Sequence, residues 1–291
     1  MSSLFPAQGH LNQLLQLSCL VSSYGIPIHY FAPLVFSRQA RSRANDLINP
    51  HDLRKIHFHD IPTPHFDSPR PNPDSSHRFP TQLLSAWYAS LSLRELFSVF
   101  LLDLSKKFTR VVVIHDPMMA FVVQDIASIP NAESYVFNCI SASSHISFLW
   151  SFLTKPVSVK HSKEIPSFNG CLPEEVRSFV SIQMDHLDSR SRDIFNTCRL
   201  VEAPYLEILE HEEISGAKNR KLWAMGPILP APRAEHQREC LRWLHRNEPK
   251  SVVYVSFGTT ISLTDEQVRE IAARLEEQGQ VPLGGQGCRH Q

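Results

Sequence analysis

The run Val111-Val112-Val113-Ile114 restricts the fold of this 291-residue chain more than any other stretch. Consecutive β-branched residues are typical of a strand that is covered on both faces, and such strands belong to parallel sheets flanked by helices. Further along, Ser134 to Asn138 predicts another strand and Ser141 to Leu153 a helix. This alternation at short spacing predicts an α/β fold with a doubly wound, Rossmann-like domain.

Asp116 directly follows this strand, in the sequence His115-Asp116-Pro117. Ligands of open parallel sheets bind outside the carboxyl ends of the strands, so Asp116 is placed at a ligand-binding edge. From the residues alone two roles stay open. Asp116 could orient a catalytic base by accepting its N–H, or it could cap a helix that begins near Met118. The neighbouring His115 is expected to point to the opposite side and to be structural.

His10 lies at the start of a predicted helix. Pro6 and Gly9 are turn residues, and Leu11, Leu14 and the apolar residues after them recur at helical spacing. The positive end of a helix dipole disfavours the imidazolium form and leaves a neutral ring that can accept a proton near pH 7. His10 is therefore a candidate general base, although a histidine at a helix start is more often a solvated cap or a packing residue.

Composition excludes several classes of function. Lys+Arg 29 balances Asp+Glu 29, which argues against nucleic acid or an acidic membrane surface as a partner. The six cysteines show no CxxC spacing, so neither a disulfide framework nor a metal site is predicted, and a reducing compartment is favoured. No apolar run reaches about 18 residues, and no signal-peptide pattern is present. We expect a cytoplasmic protein that binds no metal.

Two further segments lead to structural predictions. Ile56 to Ile61 alternates between polar and apolar residues and predicts a strand with His57 and His59 on one face. Two histidines at this spacing can bind a metal, but the nearby sequence offers no third ligand, so we expect exposed strand positions. Thr81 to Lys107 predicts one long helix, because its apolar residues recur every three or four positions.

Residues 5–12 read FPAQGHLN, and residues 24–33, after a Leu-rich helix, read YGIPIHYFAP. Both stretches resemble the opening of the plant UDP-dependent glycosyltransferases, and among these most of all the zeatin O-glycosyltransferase group. The resemblance extends from Leu4 to about Gln280. It implies a glycosyltransferase B-type fold of two Rossmann-like domains.

The same resemblance implies a reaction and its residues. His10 would deprotonate the acceptor hydroxyl, with Asp116 as its partner. The configuration at the anomeric carbon of the transferred sugar would be inverted. UDP-glucose or UDP-xylose would be the co-substrate, a small molecule such as the cytokinin zeatin would be the acceptor, and no metal or other cofactor would be required.

Domain boundaries are indicated by the density of proline and glycine from Gly226 to Pro232. We expect an N-terminal acceptor-binding domain over residues 1–225, a linker over 226–235 and the start of a UDP-sugar-binding domain over 236–280. In this second domain, Ser251 to Thr260 predicts a strand followed by a tight turn. A phosphate could approach the backbone at Gly258 and accept from the hydroxyls of Thr259 and Thr260, and the resemblance matches this turn to the donor diphosphate site.

The chain departs from the family pattern at both ends. Only Met1 to Leu4 precede the first motif, so we expect the N-terminal domain to lack its first, central strand and to be destabilised. Residues 281–291 form a Gly-rich tail without periodicity, and our hypothesis is that this tail is a frame-shifted reading of the natural continuation, which the genomic sequence would test. Two functions therefore stay open: glycosyl transfer, or a noncatalytic truncated remnant that lacks most of the donor site.

Overall fold

The computed structural model of the protein describes residues 2–3, 5–47, 53–74, 79–152, 165, 167–168, 170–210, 221–229, 239–258 and 262–277. The chain divides into two compact units, one of Met1–Ser68 with Thr81–Ala231 and one of Pro69–Pro80 with Pro232–Gln291. The division after residue 231 falls inside the predicted linker.

A parallel sheet is the centre of the first unit. Within the described residues it has seven strands: β1 Ser2–Ser3, β2 Ile28–Pro33, β3 Ile56–Ile61, β4 Val111–His115, β5 Ala132–Asn138, β6 Arg192–Phe195 and β7 Lys221–Ala224. Their order is β3-β2-β1-β4-β5-β6-β7. The direction in which strands are added therefore reverses between β1 and β4, as in doubly wound dinucleotide-binding folds.

Most of the described helices belong to the first unit, where they connect these strands, and the last two belong to the second unit. They are α1 Gln8–Ser23, α2 Leu34–Leu47, α3 Leu84–Ser90, α4 Leu93–Lys107, α5 Ala120–Val123, α6 Ala142–Phe152, α7 Glu174–Met184, α8 Arg199–Glu210, α9 Glu239–Leu244 and α10 Asp265–Glu277. Short 3₁₀ segments flank several of them, including Pro117–Met119 after β4. In the part of the chain that the structure describes, no helix combines the length and the apolar character that crossing a membrane requires.

Alternate residues of β2 show why both faces of the sheet are covered. Tyr30 and Ala32 belong to a buried cluster that includes four of the leucines of α1. Phe31 faces the other side, where its ring meets that of Phe97 in α4 edge to face, with ring centroids 5.2 Å apart. Both faces are thus apolar and buried, and the predicted doubly wound, Rossmann-like domain is confirmed.

The position where the sequence predicts a missing strand holds the two-residue strand β1. Ser2 is in register with Tyr30 of β2 and Ile114 of β4, and Ser3 continues both ladders. The expectation that the first strand is absent is therefore wrong: the strand is present, but it is only two residues long. These two residues give backbone partners to both neighbours at the centre of the sheet, where unpaired N–H and C=O groups would be costly.

The single helix predicted from Thr81 to Lys107 is interrupted after Ser90. The hydroxyls of Ser90 and Ser92 donate to backbone carbonyls three residues earlier, at 2.6 and 2.7 Å, and such bonds compete with helix continuation. The break changes the helical phase. Leu96, expected on the buried face, is 46% exposed, whereas Phe97 is fully buried.

The strand predicted from Ser251 onward is wrong for the described residues. Ser251 to Gly258 form no strand, and Tyr254 is 88% exposed. A strand needs a neighbour for its backbone groups, and the described residues of the second unit include no other strand. After this segment, α10 starts with a capping box: Thr264 Oγ1 accepts from the Gln267 N–H, and Gln267 Oε1 accepts from the Thr264 N–H.

Candidate active site

The reversal of strand order between β1 and β4 brings together two residues that are far apart in the sequence. His10 is the third residue of α1, shortly after β1, and Asp116 directly follows β4. A crevice outside the carboxyl ends of two such strands is the general place for ligands in open α/β sheets.

The His10 and Asp116 side chains are in direct contact. Nδ1 of His10 lies 2.5 Å from Oδ2 of Asp116, and the His10 side chain is 24% exposed while that of Asp116 is fully buried. The second oxygen of Asp116 accepts from the backbone N–H of Met118 at 2.8 Å. Asp116 thus caps the 3₁₀ segment and binds the histidine at the same time, so both interpretations of this residue agree with the geometry.

This contact fixes the tautomer of His10. An ionised carboxylate only accepts hydrogen bonds, so Nδ1 carries the hydrogen and Nε2 carries the lone pair in the neutral ring. Burial lowers the pKa of His10, but the charge of Asp116 and the hydrogen bond to it raise the pKa by more, so the net shift is upward. The sequence argument from the helix terminus, which predicted a ring kept neutral, is therefore corrected. The charge of buried Asp116 and the hydrogen bond to it together outweigh the effect of burial on the pKa, and the raised pKa makes His10 a stronger base.

Cys139, which follows β5, is a third member of this site. Its thiol donates to the His10 carbonyl oxygen at 3.9 Å, and burial first and the Asp116 charge second raise the pKa of Cys139 well above its ordinary value. The ligand atoms of His10, Asp116 and Cys139 all lie within 4.8 Å of one another, a spacing that could hold a metal ion. The raised pKa keeps the thiol of this trio protonated, and a protonated thiol is a poor metal ligand. Sequence analysis missed Cys139, although it directly follows a predicted strand, as Asp116 does.

Side-chain amides hold α1 against the ends of the neighbouring strands. Gln13 Nε2 donates to the Cys139 carbonyl at 2.9 Å, and Asn196 Nδ2 donates to Gln13 Oε1 at 2.6 Å. Asn196 Oδ1 accepts in turn from the Ile228 N–H at 2.7 Å. The helix that carries His10 is therefore bonded to the segments that follow β5, β6 and β7.

A buried aromatic cluster lies beside His10. The Phe5 ring meets the His10 ring edge to face at 5.3 Å, and Trp87 and Phe179 are packed against Phe5 at 4.8 and 6.2 Å. Phe5 therefore packs against the imidazole, and Trp87 and Phe179 support Phe5.

His115 is structural, as the sequence predicts. It is buried, its Nδ1 donates to the Asp116 carbonyl oxygen, and its Nε2 accepts from the Ser134 hydroxyl, both at 2.8 Å. Burial is the main cause that lowers the pKa of His115 to about 4. With both nitrogens engaged, this ring supports the backbone of Asp116.

The predicted donor-phosphate residues belong to the second unit. Gly258 is exposed and has a φ of 74°, a left-handed conformation that favours glycine. Thr259 and Thr260 lie outside the described residues, as do the tail at 281–291 and residues 230–235 of the expected linker.

Comparison with known proteins identifies a family. The family model "Glycosyltransferase, N-terminal domain" matches residues 3–230. The chain is 42% identical to zeatin O-glucosyltransferase of Phaseolus lunatus, an alignment that covers 95% of this chain and 59% of the relative. It is 39% identical to zeatin O-xylosyltransferase of Phaseolus vulgaris, with 95% and 60% covered, and 33% identical to cis-zeatin O-glucosyltransferase 1 of Zea mays, with 94% and 60% covered. The chain thus spans about 60% of the length of these relatives.

Solved structures show the same fold. UGT89C1 of Arabidopsis thaliana, complexed with UDP, matches 96% of this chain and 64% of its own with a TM-score of 0.69 at 20% identity. UGT73P12 of Glycyrrhiza uralensis, complexed with glycyrrhetinic acid 3-O-monoglucuronide, gives the same TM-score and identity, with 96% and 60% covered. The strand order is therefore that of a glycosyltransferase B-type N-terminal domain.

Proposed function

Because this chain belongs to the glycosyltransferase family that this N-terminal domain defines, we propose that it takes part in the transfer of a sugar from a UDP-sugar to a small-molecule hydroxyl. The proposed donor is UDP-glucose or UDP-xylose, and the proposed acceptor is zeatin, because relatives named for these reactions are 33–42% identical to the chain. The observation that carries the proposal is the contact of His10 with Asp116 at the reversal point of the sheet.

In the proposed reaction, Nε2 of His10 takes the proton of the acceptor hydroxyl while the hydroxyl oxygen attacks the anomeric carbon. A bond forms between that oxygen and the anomeric carbon, and the bond from this carbon to the UDP oxygen breaks on the opposite side. UDP leaves with the electron pair, so the configuration is inverted. Asp116 stabilises the imidazolium that forms and keeps the ring in the required tautomer.

The proposed site also needs a binding surface for the acceptor and for the diphosphate. Zeatin is a planar purine with a hydroxylated isoprenoid side chain, and the partly exposed side chain of His10 would meet its hydroxyl. Phe5, against which Trp87 and Phe179 pack, is buried and supports the His10 ring. From the sequence we assign the donor phosphates to Gly258, Thr259 and Thr260, whose backbone N–H groups and hydroxyls would meet the phosphate charge. The UDP-sugar enters as a co-substrate.

The proposed compartment is the cytoplasm. Among the described residues, Cys19, Cys139 and Cys198 carry free thiols, and free thiols persist where glutathione and thioredoxin keep cysteine reduced.

Transfer of labelled glucose or xylose to zeatin tests the proposal on the full chain. We expect His10→Gln to lower the rate constant of transfer by roughly 10²- to 10⁴-fold, the usual contribution of a general base. Zeatin affinity, measured by calorimetry, should stay within a few-fold, because the substituted side chain is still polar and of similar size. His65→Gln is the matched control, since His65 is an exposed loop histidine, and it should not change the rate.

A second candidate, a small-molecule binder without transfer, is favoured by one observation: the segment from Ser251 to Gly258, the expected donor strand, forms no strand and is largely exposed in the described structure. Saturable binding of zeatin with no transfer from either UDP-sugar would establish this candidate and reject the enzyme. Absence of zeatin binding in a folded sample would contradict both.

A further inference from the structure

Three histidines meet on the face of the sheet that α4 covers. His29 of β2 is in register with His57 of β3, and His59 follows on the same face two residues later. Nδ1 of His29 lies 3.0 Å from Nε2 of His59. The ring centroid of His29 lies 5.0 Å from that of His57 and 5.2 Å from that of His59, and both pairs are stacked. The third ring that the sequence near His57 and His59 does not offer comes from the adjacent strand.

This arrangement offers the ligands of a nitrogen-rich metal site. Zinc sites with an open position use three protein ligands, and imidazole nitrogens bind at about 2.0–2.1 Å, so two nitrogens in a tetrahedral site lie about 3.3 Å apart. The 3.0 Å between His29 Nδ1 and His59 Nε2 is close to this separation. A shift of a few tenths of an ångström would place an ion between the two rings.

The hydrogen between the two facing nitrogens of His29 and His59 has to move before a metal ion can bind, because imidazole binds a metal through a nitrogen that carries no hydrogen. At present one ring donates its N–H to the facing nitrogen of the other ring. When the donating ring changes tautomer, the hydrogen moves to its other nitrogen. Both facing nitrogens then carry a lone pair.

The surroundings close one side of the cluster and leave the other open. Phe100 of α4 packs against His59 at 4.3 Å and against His29 at 5.7 Å, and Phe108 meets His29 at 6.1 Å. His57 is exposed, so its ring can turn from the stacked position to aim a nitrogen at the ion.

Charged groups near the cluster already have partners. The ammonium of Lys107, at the end of α4, is paired with Asp103 at 2.5 Å. The carboxylate of Asp60 accepts from Ser37 at 2.5 Å and from Arg41 at 3.0 Å. Neither group needs to move for an ion to bind.

We propose that His29, His57 and His59 bind one borderline transition-metal ion of the Zn²⁺ class, with solvent completing the coordination. The site crosslinks β2 to β3 within the strands, whereas the His10–Asp116 pair follows the carboxyl ends of β1 and β4. It is a binding site separate from the proposed transfer reaction, and no part of that reaction depends on it.

Zinc titration of the chelator-stripped full chain by calorimetry tests the proposal. We expect one ion per chain, and His57→Gln and His59→Gln should each weaken binding by roughly 10-fold or more, since loss of even an outer-shell partner costs 10- to 100-fold. His65→Gln, at an exposed loop position, is the matched control and should bind normally. His57 is exposed, so His57→Gln is expected to fold, which circular dichroism would verify.

A second measurement separates this site from the trio at His10, Asp116 and Cys139. Cobalt bound by histidine nitrogens gives visible d–d bands without the ultraviolet band of thiolate-to-cobalt charge transfer, and these bands should persist in Cys139→Ser. Zinc should also raise the melting temperature of the wild-type chain and not that of His57→Gln, because an ion that binds the native state stabilises it. Absence of zinc binding, binding that is unchanged in both histidine variants, or a thiolate band would each overturn the proposal.

Discussion

At the scale of single residues, the protonation of His10 reflects two opposing free energies. Burial disfavours the imidazolium, whereas the Asp116 carboxylate favours it through charge and through a hydrogen bond. A raised pKa in the folded state means that this contact stabilises the fold fully below the ordinary pKa of 6.5 and loses its effect as the pH rises through the folded pKa. The proposed base works in the opposite range, because only the neutral ring accepts a proton.

We predict that His10 titrates above 6.5 in the wild-type chain and below 6.5 in Asp116→Asn. The asparagine carbonyl can still accept from Nδ1, but the carboxylate charge is gone, so the effect of burial prevails. Long-range proton–nitrogen NMR of the histidine rings measures both values, and His10→Gln identifies the signal. A wild-type value below 6.5 would contradict the assigned contact.

Cysteine reactivity is expected to follow burial and pKa. Burial is the main cause that raises the pKa of Cys19 to about 12, and the pKa of Cys139 is raised well above its usual range, so neither forms the thiolate that reacts. Cys171 is exposed. Under mildly alkaline conditions, iodoacetamide should therefore modify Cys171 first and the other two only after denaturant is added, as peptide mass spectrometry would show. Equal labelling of Cys139 and Cys171 in the folded chain would refute this assignment.

At the scale of secondary-structure elements, Gly226 illustrates how closely the segments after β6 and β7 approach. A Cβ at this position would lie 2.3 Å from the carbonyl carbon of Asn196, and Asn196 in turn bonds to α1 and to the segment after β7. Any side chain here would displace backbone, because no flexible group can move away in its place.

We predict that Gly226→Ala destabilises the first unit by about 1–3 kcal/mol, the usual cost of overpacking. Gly9→Ala is the matched control. A Cβ at Gly9, inside α1, has nothing within 4 Å, and alanine in a helix is favoured over glycine by about 0.5–1 kcal/mol. Urea unfolding of both variants should give free energies of unfolding that change in opposite directions, and a stable Gly226→Ala would show that the two segments can separate freely.

The same elements show what the sequence could and could not predict. The run at Val111 to Ile114 predicted a buried parallel strand and placed Asp116 at its end correctly, because hydrophobic pattern and strand polarity are local properties. The break after Ser90 and the single-residue shift of the buried face of α4 were not predictable from periodicity, since the spacing of apolar residues does not mark where one helix ends and the next begins. Cys139 and His29 were missed because their roles depend on which strands become neighbours.

At the scale of the whole molecule, order is concentrated in the first unit. Its sheet buries large side chains on both faces, whereas α10 of the second unit has no buried residue, and Ser251 to Gly258 form no regular structure. This contrast explains why the expected strand at Ser251 fails while the strands of the first unit form: each of those has a neighbour within the described residues, and the Ser251 segment has none.

Limited trypsin digestion turns this contrast into a test of both architecture and function. Lys250 directly precedes the exposed segment from Ser251 to Gly258, so we predict that it is cleaved well before Arg192, which lies in β6 and would require the sheet to open. Because His10, Asp116 and the aromatic cluster all belong to the first unit, chains cut at Lys250 should keep their zeatin affinity within a few-fold and lose transfer from the UDP-sugar. Mass spectrometry of the early fragments and calorimetry with zeatin before and after cleavage provide the two readouts.

Cleavage at Arg192 first would contradict the assigned order of stability. Loss of zeatin binding after the cut at Lys250 would mean that the acceptor is held by residues of the second unit, contrary to the site proposed around His10.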